Sequence, residues 1–176
     1  MPTIFSHPAV PLALAVAIGT PHIRPRLLIA GTVASIVPDL DVLAFRLGIG
    51  YAHEFGHRGM SHSLLFALFL GLIACAAARW LQASRSAALF FVSAAAASHG
   101  LLDMLTNGGL GVALLWPYSD ERFFFPQTPI EASPLSLRRV FGSAGLAVLG
   151  SELLWVWLPC ATLGIAGLVA RRKNAP

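Results

Sequence analysis

Two imidazoles, a guanidinium and two hydroxyls crowd the stretch His57-Arg58-Gly59-Met60-Ser61-His62-Ser63, just ahead of the apolar run 64–78. Residues five apart lie about 140° apart on an α-helix that turns roughly 100° per residue, so an unbroken helix would not point His57 and His62 at one atom. Gly59 predicts a turn instead, with His62 at the mouth of the helix that follows. A second pair, His99 and Asp103, stands four apart inside an apolar run. On a helix the two share a face with Cβ atoms about 5–6 Å apart, close enough to bind one metal or to act as a ligand and its supporting partner. Asp39 and Asp41 follow Pro38 at the end of another apolar run. Each group taken singly has a plain reading, a solvated turn for the acids and an internal hydrogen bond for His99 with Asp103. What favours function is cost: an Asp near the centre of a membrane helix is unfavourable by about 2.5–3.5 kcal/mol.

Mixed imidazole and carboxylate donors suit zinc, manganese or iron better than magnesium or calcium, which prefer oxygen shells. Two or three such side chains around a metal, with one water, would lower that water's pKa toward ~7 and supply a nucleophile. Arg58 or Arg122 could neutralise a phosphoryl oxygen, or could simply pair with Asp120, Glu121 or Glu131.

The elements that must position these groups belong to a membrane protein. Hydrophobic residues make up 56% of the 176 and charged ones 11%, against about 25% charged in a soluble domain, and mean hydropathy is +0.73. The length predicts one domain. Residues 1–8 carry no Lys or Arg ahead of the first apolar run, which argues against a signal peptide. Cys75 and Cys160 sit in separate apolar segments and read as packing residues.

Residues 8–19 predict a short helix, below the ~20 residues that span a bilayer unaided. A second run, 26–37, stops at Pro38, and 42–55 reads as irregular or interfacial. Helices are expected from His62 to about Leu81 and over 86–105, the latter stopped by Asn107-Gly108-Gly109. The aromatics of the loop 116–126 suit the headgroup level. Ser133-Pro134 reads as an N-cap with proline at the first helical position. It opens an interfacial helix over 135–149, split at Gly150 from a spanning helix over 153–170 that Pro159 kinks. The expectation is an all-α integral-membrane bundle of about four to five apolar helices plus an interfacial one.

If the segments alternate across the membrane, Arg24, Arg26, Arg79, Arg85, Arg171, Arg172 and Lys173 share one side without an acid. The positive-inside rule makes that side, with the C-terminus, cytoplasmic. The basic pI of about 9.8 then reflects topology and calls for no nucleic-acid partner, with a basic membrane-surface patch as the other reading. Asp39, Asp41, His62, His99 and Asp103 gather at the opposite, extracytoplasmic face, with His7 at the start of the first segment and Glu152 at the start of the last.

Pro38-Asp39-Leu40-Asp41, Gly56-His57-Arg58-Gly59-Met60-Ser61-His62-Ser63-Leu64, Ser98-His99-Gly100-Leu101-Leu102-Asp103-Met104-Leu105-Thr106 and Leu115-Trp116-Pro117 together resemble the YdjM-like family of bacterial inner-membrane proteins, described as metal-dependent hydrolases. The resemblance covers about 38–117, and Ser61 stands where the motif often has Thr. It implies Asp39, Asp41, His57, His62, His99 and Asp103 as the polar centre, with His7 matching a histidine that members carry near the N-terminus. The pattern is also loosely similar to bacterial zinc-dependent phospholipase C, an all-helical fold with several metal ions.

The leading expectation is a metallohydrolase of an ester or phosphoester in a lipid-like substrate. His62, His99, Asp39 and Asp103 are the first-choice ligands of a divalent metal, most simply zinc. Asp41 and His57 serve a second metal or act as the acid/base pair. Topology and local chemistry add Arg122 and Glu152 as substrate contacts. The rival expectation is a non-enzymatic membrane protein: a proton or metal relay, a transporter-like module without internal repeats, or a scaffold for a stress-response partner.

Overall fold

A computed structural model describes residues 1–133 and 143–174 and is all-helical. Extended backbone pairs only at two isolated bridges among these residues, Thr106 with Ile130 and Val112 with Phe123. The helices are α1 (Ala9–Ile18), α2 (Pro25–Ala34), α3 (Leu64–Ala76), α4 (Arg85–Met104), α5 (Ser143–Glu152) and α6 (Leu158–Lys173). Three helical stretches are long and apolar enough to cross a membrane, Pro25–Leu47, Arg85–Met104 and Gly145–Lys173, while Ala9–Ile18 and Leu64–Ala76 are shorter.

Helix α4 is the centre of the bundle. It packs against α3, α2 and α1, and α1 packs in turn on α6. The core between α2, α3 and α4 is built from small residues, Ala34, Ala67, Ala74, Ala88 and Ala96, around Leu27 and Phe91. Small side chains let apolar helices approach closely where lipid supplies no hydrophobic drive. The outer faces carry exposed Leu68, Phe69, Leu72, Phe90 and Leu163, as a lipid-facing surface does.

Three expectations need correction. The 42–55 segment is not irregular throughout, because a 3-10 helix runs through Val37–Leu47. Pro38 has no N–H to continue α2, and the Asp39 N–H turns to the Ile36 carbonyl at 3.1 Å. The helix expected from His62 to Leu81 is α3 alone, capped by the Ser63 hydroxyl on the Phe66 N–H at 3.1 Å. It is followed by a turn that closes with Gln82 at φ 57 and the Ala83 N–H on the Ala78 carbonyl, a Schellman-type stop. Lastly, the chain does not break at Gly150. It runs from α5 through a π-helical turn, Leu153–Trp157, into α6. Pro159 explains the turn: its ring displaces the usual ladder, and the Leu158 N–H reaches back to the Leu153 carbonyl. The Ser133-Pro134 cap and the start of the 135–149 helix fall outside the described residues.

Candidate metal centre

Four segments converge at one end of the bundle. Asp39 and Asp41 come from the 3-10 helix after α2, His57 and Arg58 from the turn before Met60–His62, His62 from that short helix, and His99 and Asp103 from the last turns of α4. A 3-10 helix turns three residues per revolution, so Asp39 and Asp41, two apart, face different ways. Asp39 faces His99 and His62, and Asp41 faces His57 and the far edge of His62.

The imidazole orientations follow from their partners. His99 Nδ1 lies 2.8 Å from the Ser35 carbonyl, an acceptor only, so Nδ1 carries the proton and Nε2 a lone pair. That carbonyl is available because the helix tightens at Pro38. His62 Nδ1 lies 3.1 Å from Asp41 Oδ2, which fixes its proton there and turns Nε2 inward. The two Nε2 atoms stand 3.0 Å apart. Two lone pairs at that distance repel unless a cation, proton or metal, lies between them.

Asp39 and Asp103 complete the set. His99 Nε2 is 3.4 Å and His62 Nε2 3.9 Å from Asp39 Oδ1, and His62 Nε2 is 3.5 Å from Asp103 Oδ2. Donors on a tetrahedral ion with bonds of 2.0–2.1 Å lie about 3.3 Å apart, so these separations match one coordination shell. Asp39, His62, His99 and Asp103 are all buried, and one ligand atom from each falls within 4.8 Å of the others. Both oxygens of Asp39 and of Asp103 lack a hydrogen-bond partner, apart from the Asp103 ion pair with Arg58. Buried carboxylates so placed are costly, and a metal ion is the group that would satisfy them.

Charge gives the same answer. Asp39, Asp41 and Asp103 contribute three negative charges and Arg58 one positive, a deficit of two. Without a metal, burial works against a charged His62, but the Asp103 and Asp41 carboxylates outweigh it and push its pKa up to about 9. Burial, helped by the neighbouring His99 and His62 rings and opposed by Asp103 and Asp39, drives His7 down to about 3, so that ring is neutral. It stacks on His99 with centroids 3.7 Å apart, its Nε2 3.8 Å from Asp39 and 3.9 Å from Asp103.

Around these groups lies a layer of supports. Asp41 spends one oxygen on His57 Nδ1 at 2.6 Å and the other on Ser61 Oγ at 2.6 Å, the Arg58 N–H at 3.1 Å and His62. This is a carboxylate–histidine arrangement that orients a ligand. Asp41, His57 and His62 also present ligand atoms within 4.8 Å of one another. Arg58 is fully buried at φ 63, a conformation that costs a non-glycine residue about 1–2 kcal/mol. Its guanidinium pairs with Asp103 at 2.9 Å and donates to the Gly108 carbonyl and to Thr106 Oγ1. Gly100 lets α4 lie against the short helix, since a Cβ there would meet the His62 carbonyl at 2.7 Å.

Two expected residues stand elsewhere. Arg122 donates to the carbonyls of His57, Tyr51 and His53 and so clamps the turn that carries His57. Glu152, buried in α5, accepts from Thr3 N–H, Thr3 Oγ1 and Ser6 Oγ, fastening the segment that brings His7 over His99. Sequence reading passed over Ser35, Thr3 and Ser6, and it took Gly100 and Thr106 only as parts of a motif and a helix stop, without these roles. Only Pro38 pointed to any of them, through the carbonyl its missing N–H helps to release.

A helical bundle with membrane-spanning apolar helices and a buried His/Asp centre able to hold a metal ion defines the class. Over residues 1–174 the chain matches the family described as YdjM inner membrane protein, and it belongs to that family. It is 46% identical over 160 residues to "Inner membrane protein YbcI" of Escherichia coli (strain K12), covering 90% of this chain and 92% of that protein. No solved structure matches it.

Proposed function

We propose that this inner-membrane protein is a metal-dependent hydrolase of an ester or phosphoester in a lipid-like substrate. The observation that supports this reading most is the pair of Nε2 atoms facing each other at 3.0 Å, flanked by buried Asp39, which has no hydrogen-bond partner, and buried Asp103, which is paired only with Arg58. Asp39, His62, His99 and Asp103 would hold the ion, with zinc the best fit to two imidazoles and two carboxylates and manganese or iron next. A bound ion of this kind supplies Lewis-acid activation of water and of the ester. His57, its Nδ1–H committed to Asp41, keeps Nε2 for proton transfer, and Asp41 holds it in that tautomer. Arg58 pairs with Asp103 at 2.9 Å and holds it in place.

The lipid-like substrate is supported by an apolar groove of about 410 Å³ along α3, lined by Leu65, Phe69 and Leu72 with Met60 and Trp116. Met60 is the neighbour of Ser61, which bonds Asp41, so a chain lying in this groove would present its ester beside the polar centre. The arginine-rich end is cytoplasmic in this reading, and the centre opens on the other side.

A proton relay is the second reading, favoured by the continuous line His57, Asp41, His62, His99. The two separate on metal-loaded protein in detergent, assayed with a short-chain p-nitrophenyl ester, bis-p-nitrophenyl phosphate and phospholipid. The hydrolase reading expects turnover of at least one class, lost in His57→Ala with the metal retained. Fully loaded protein that turns over none of them overturns it and leaves the relay.

A further inference from the structure

Helices α2 and α3 both pack on α4 and scarcely touch each other. The space between them is a second groove of about 480 Å³, with its rim at Arg26 at the opposite end of α2 from Asp39, walled by Ile29, Val33, Ile73 and Trp80 and floored by Ala74 and Val92. Its lining is almost wholly apolar except at one rim, where Arg26 stands. There the guanidinium lies 5.6 Å from the centre of the Trp80 ring and donates to the Trp80 carbonyl at 3.0 Å. That contact uses one of five N–H donors. Arg26 has no carboxylate within ion-pair distance among the described residues. Arg24, Arg79 and Arg85 flank the same end of the bundle, so the rim is an uncompensated positive site held in place by an aromatic ring.

The groove runs from this rim along α2 past Val33, about 10 Å at 1.5 Å per residue, in the direction a lipid tail takes. A basic rim over an apolar slot between membrane helices is complementary to a lipid with an anionic headgroup. We propose that the α2–α3 groove is a binding site for one anionic phospholipid, an acyl chain lying between Val33 and Ile73 and the phosphate on Arg26. The site uses none of the metal-centre residues, and its occupant bridges two helices that make few contacts with each other.

Native mass spectrometry of the full chain in detergent tests this, with phosphatidylglycerol and phosphatidylethanolamine of identical acyl chains titrated separately. The wild type is expected to retain one phosphatidylglycerol in preference to phosphatidylethanolamine by about fivefold, the size of one arginine–phosphate attraction at a membrane surface. Arg26→Gln should abolish the preference, and Val33→Trp, which fills the slot from an exposed position, should remove the bound copy of either lipid. Arg172→Gln, at the same end but outside the groove, should change neither. Equal retention of the two lipids by the wild type, or an Arg172→Gln effect as large as that of Arg26→Gln, would overturn the proposal in favour of a diffuse basic surface.

Discussion

At one end of the bundle Arg58 is fully buried, each of its three guanidinium nitrogens engaged, by Asp103, Gly108 and Thr106. At the other, Arg26, Arg172 and Lys173 are exposed, and no carboxylate lies within ion-pair distance of them among the described residues. Asp39, Asp41 and Asp103 gather around Arg58 and the histidines at the first end. One end therefore concentrates opposite charges out of water, where the geometry of each pair matters. The other spreads like charges into water and headgroups, where only their sum does.

The same substitution should expose this contrast most sharply. Arg58→Gln leaves Asp103 buried beside other carboxylates, and loss of one member of a buried pair costs about 3–5 kcal/mol. Arg172→Gln should stay within about 0.5 kcal/mol. Thermal unfolding of the two purified variants in detergent measures the difference, and equal midpoints would dissolve the distinction between the ends.

Within the polar end the comparison sharpens between ligand and support. Asp41→Asn keeps all four inner donors but weakens the hold on His62 Nδ1, so zinc affinity should fall about 10–100-fold, read by competition with a chelator. An effect of similar size, but on the fold and not on the metal, is expected at Glu152. Glu152→Gln disturbs three hydrogen bonds that anchor the segment carrying His7, at a cost of about 1–3 kcal/mol, and should speed proteolysis near Ser6 more than at α4. Smallest in energy is a proton count. His62 is charged below about 9 before metal enters, so uptake at pH 7 should release its proton, and affinity should climb with pH and level off above about 9. Calorimetry in buffers of different ionisation enthalpy counts that proton.

Much of the centre was legible because helical spacing is a strong constraint. His99 and Asp103, four apart, could only share a face, and Gly59 signalled the turn that lets His57 and His62 meet edge to face at 5.6 Å. The different roles of Asp39 and Asp41 were not legible, since they depend on a 3-10 rather than an α-helical advance after Pro38. Nor was the burial of Arg58, which needs Thr106 and Gly108, about fifty residues away, to receive its donors. The expected break at Gly150 failed for a related reason: glycine permits a break without requiring one, and the disruption sits at Leu153–Trp157 because Pro159 demands it. Arg122 and Glu152 were placed at the right end of the bundle, yet topology could not show that both are occupied in holding the chain.

Whether Asp39, His62, His99 and Asp103 hold a metal ion is decided by the metal content of detergent-purified protein. Wild type, His62→Ala and His99→Ala would be measured side by side by inductively coupled plasma mass spectrometry. Stoichiometric zinc, manganese or iron in the wild type and its absence from both variants is the expected result. A wild type that holds no metal after reconstitution with all three ions, or variants that retain it in full, would contradict the account.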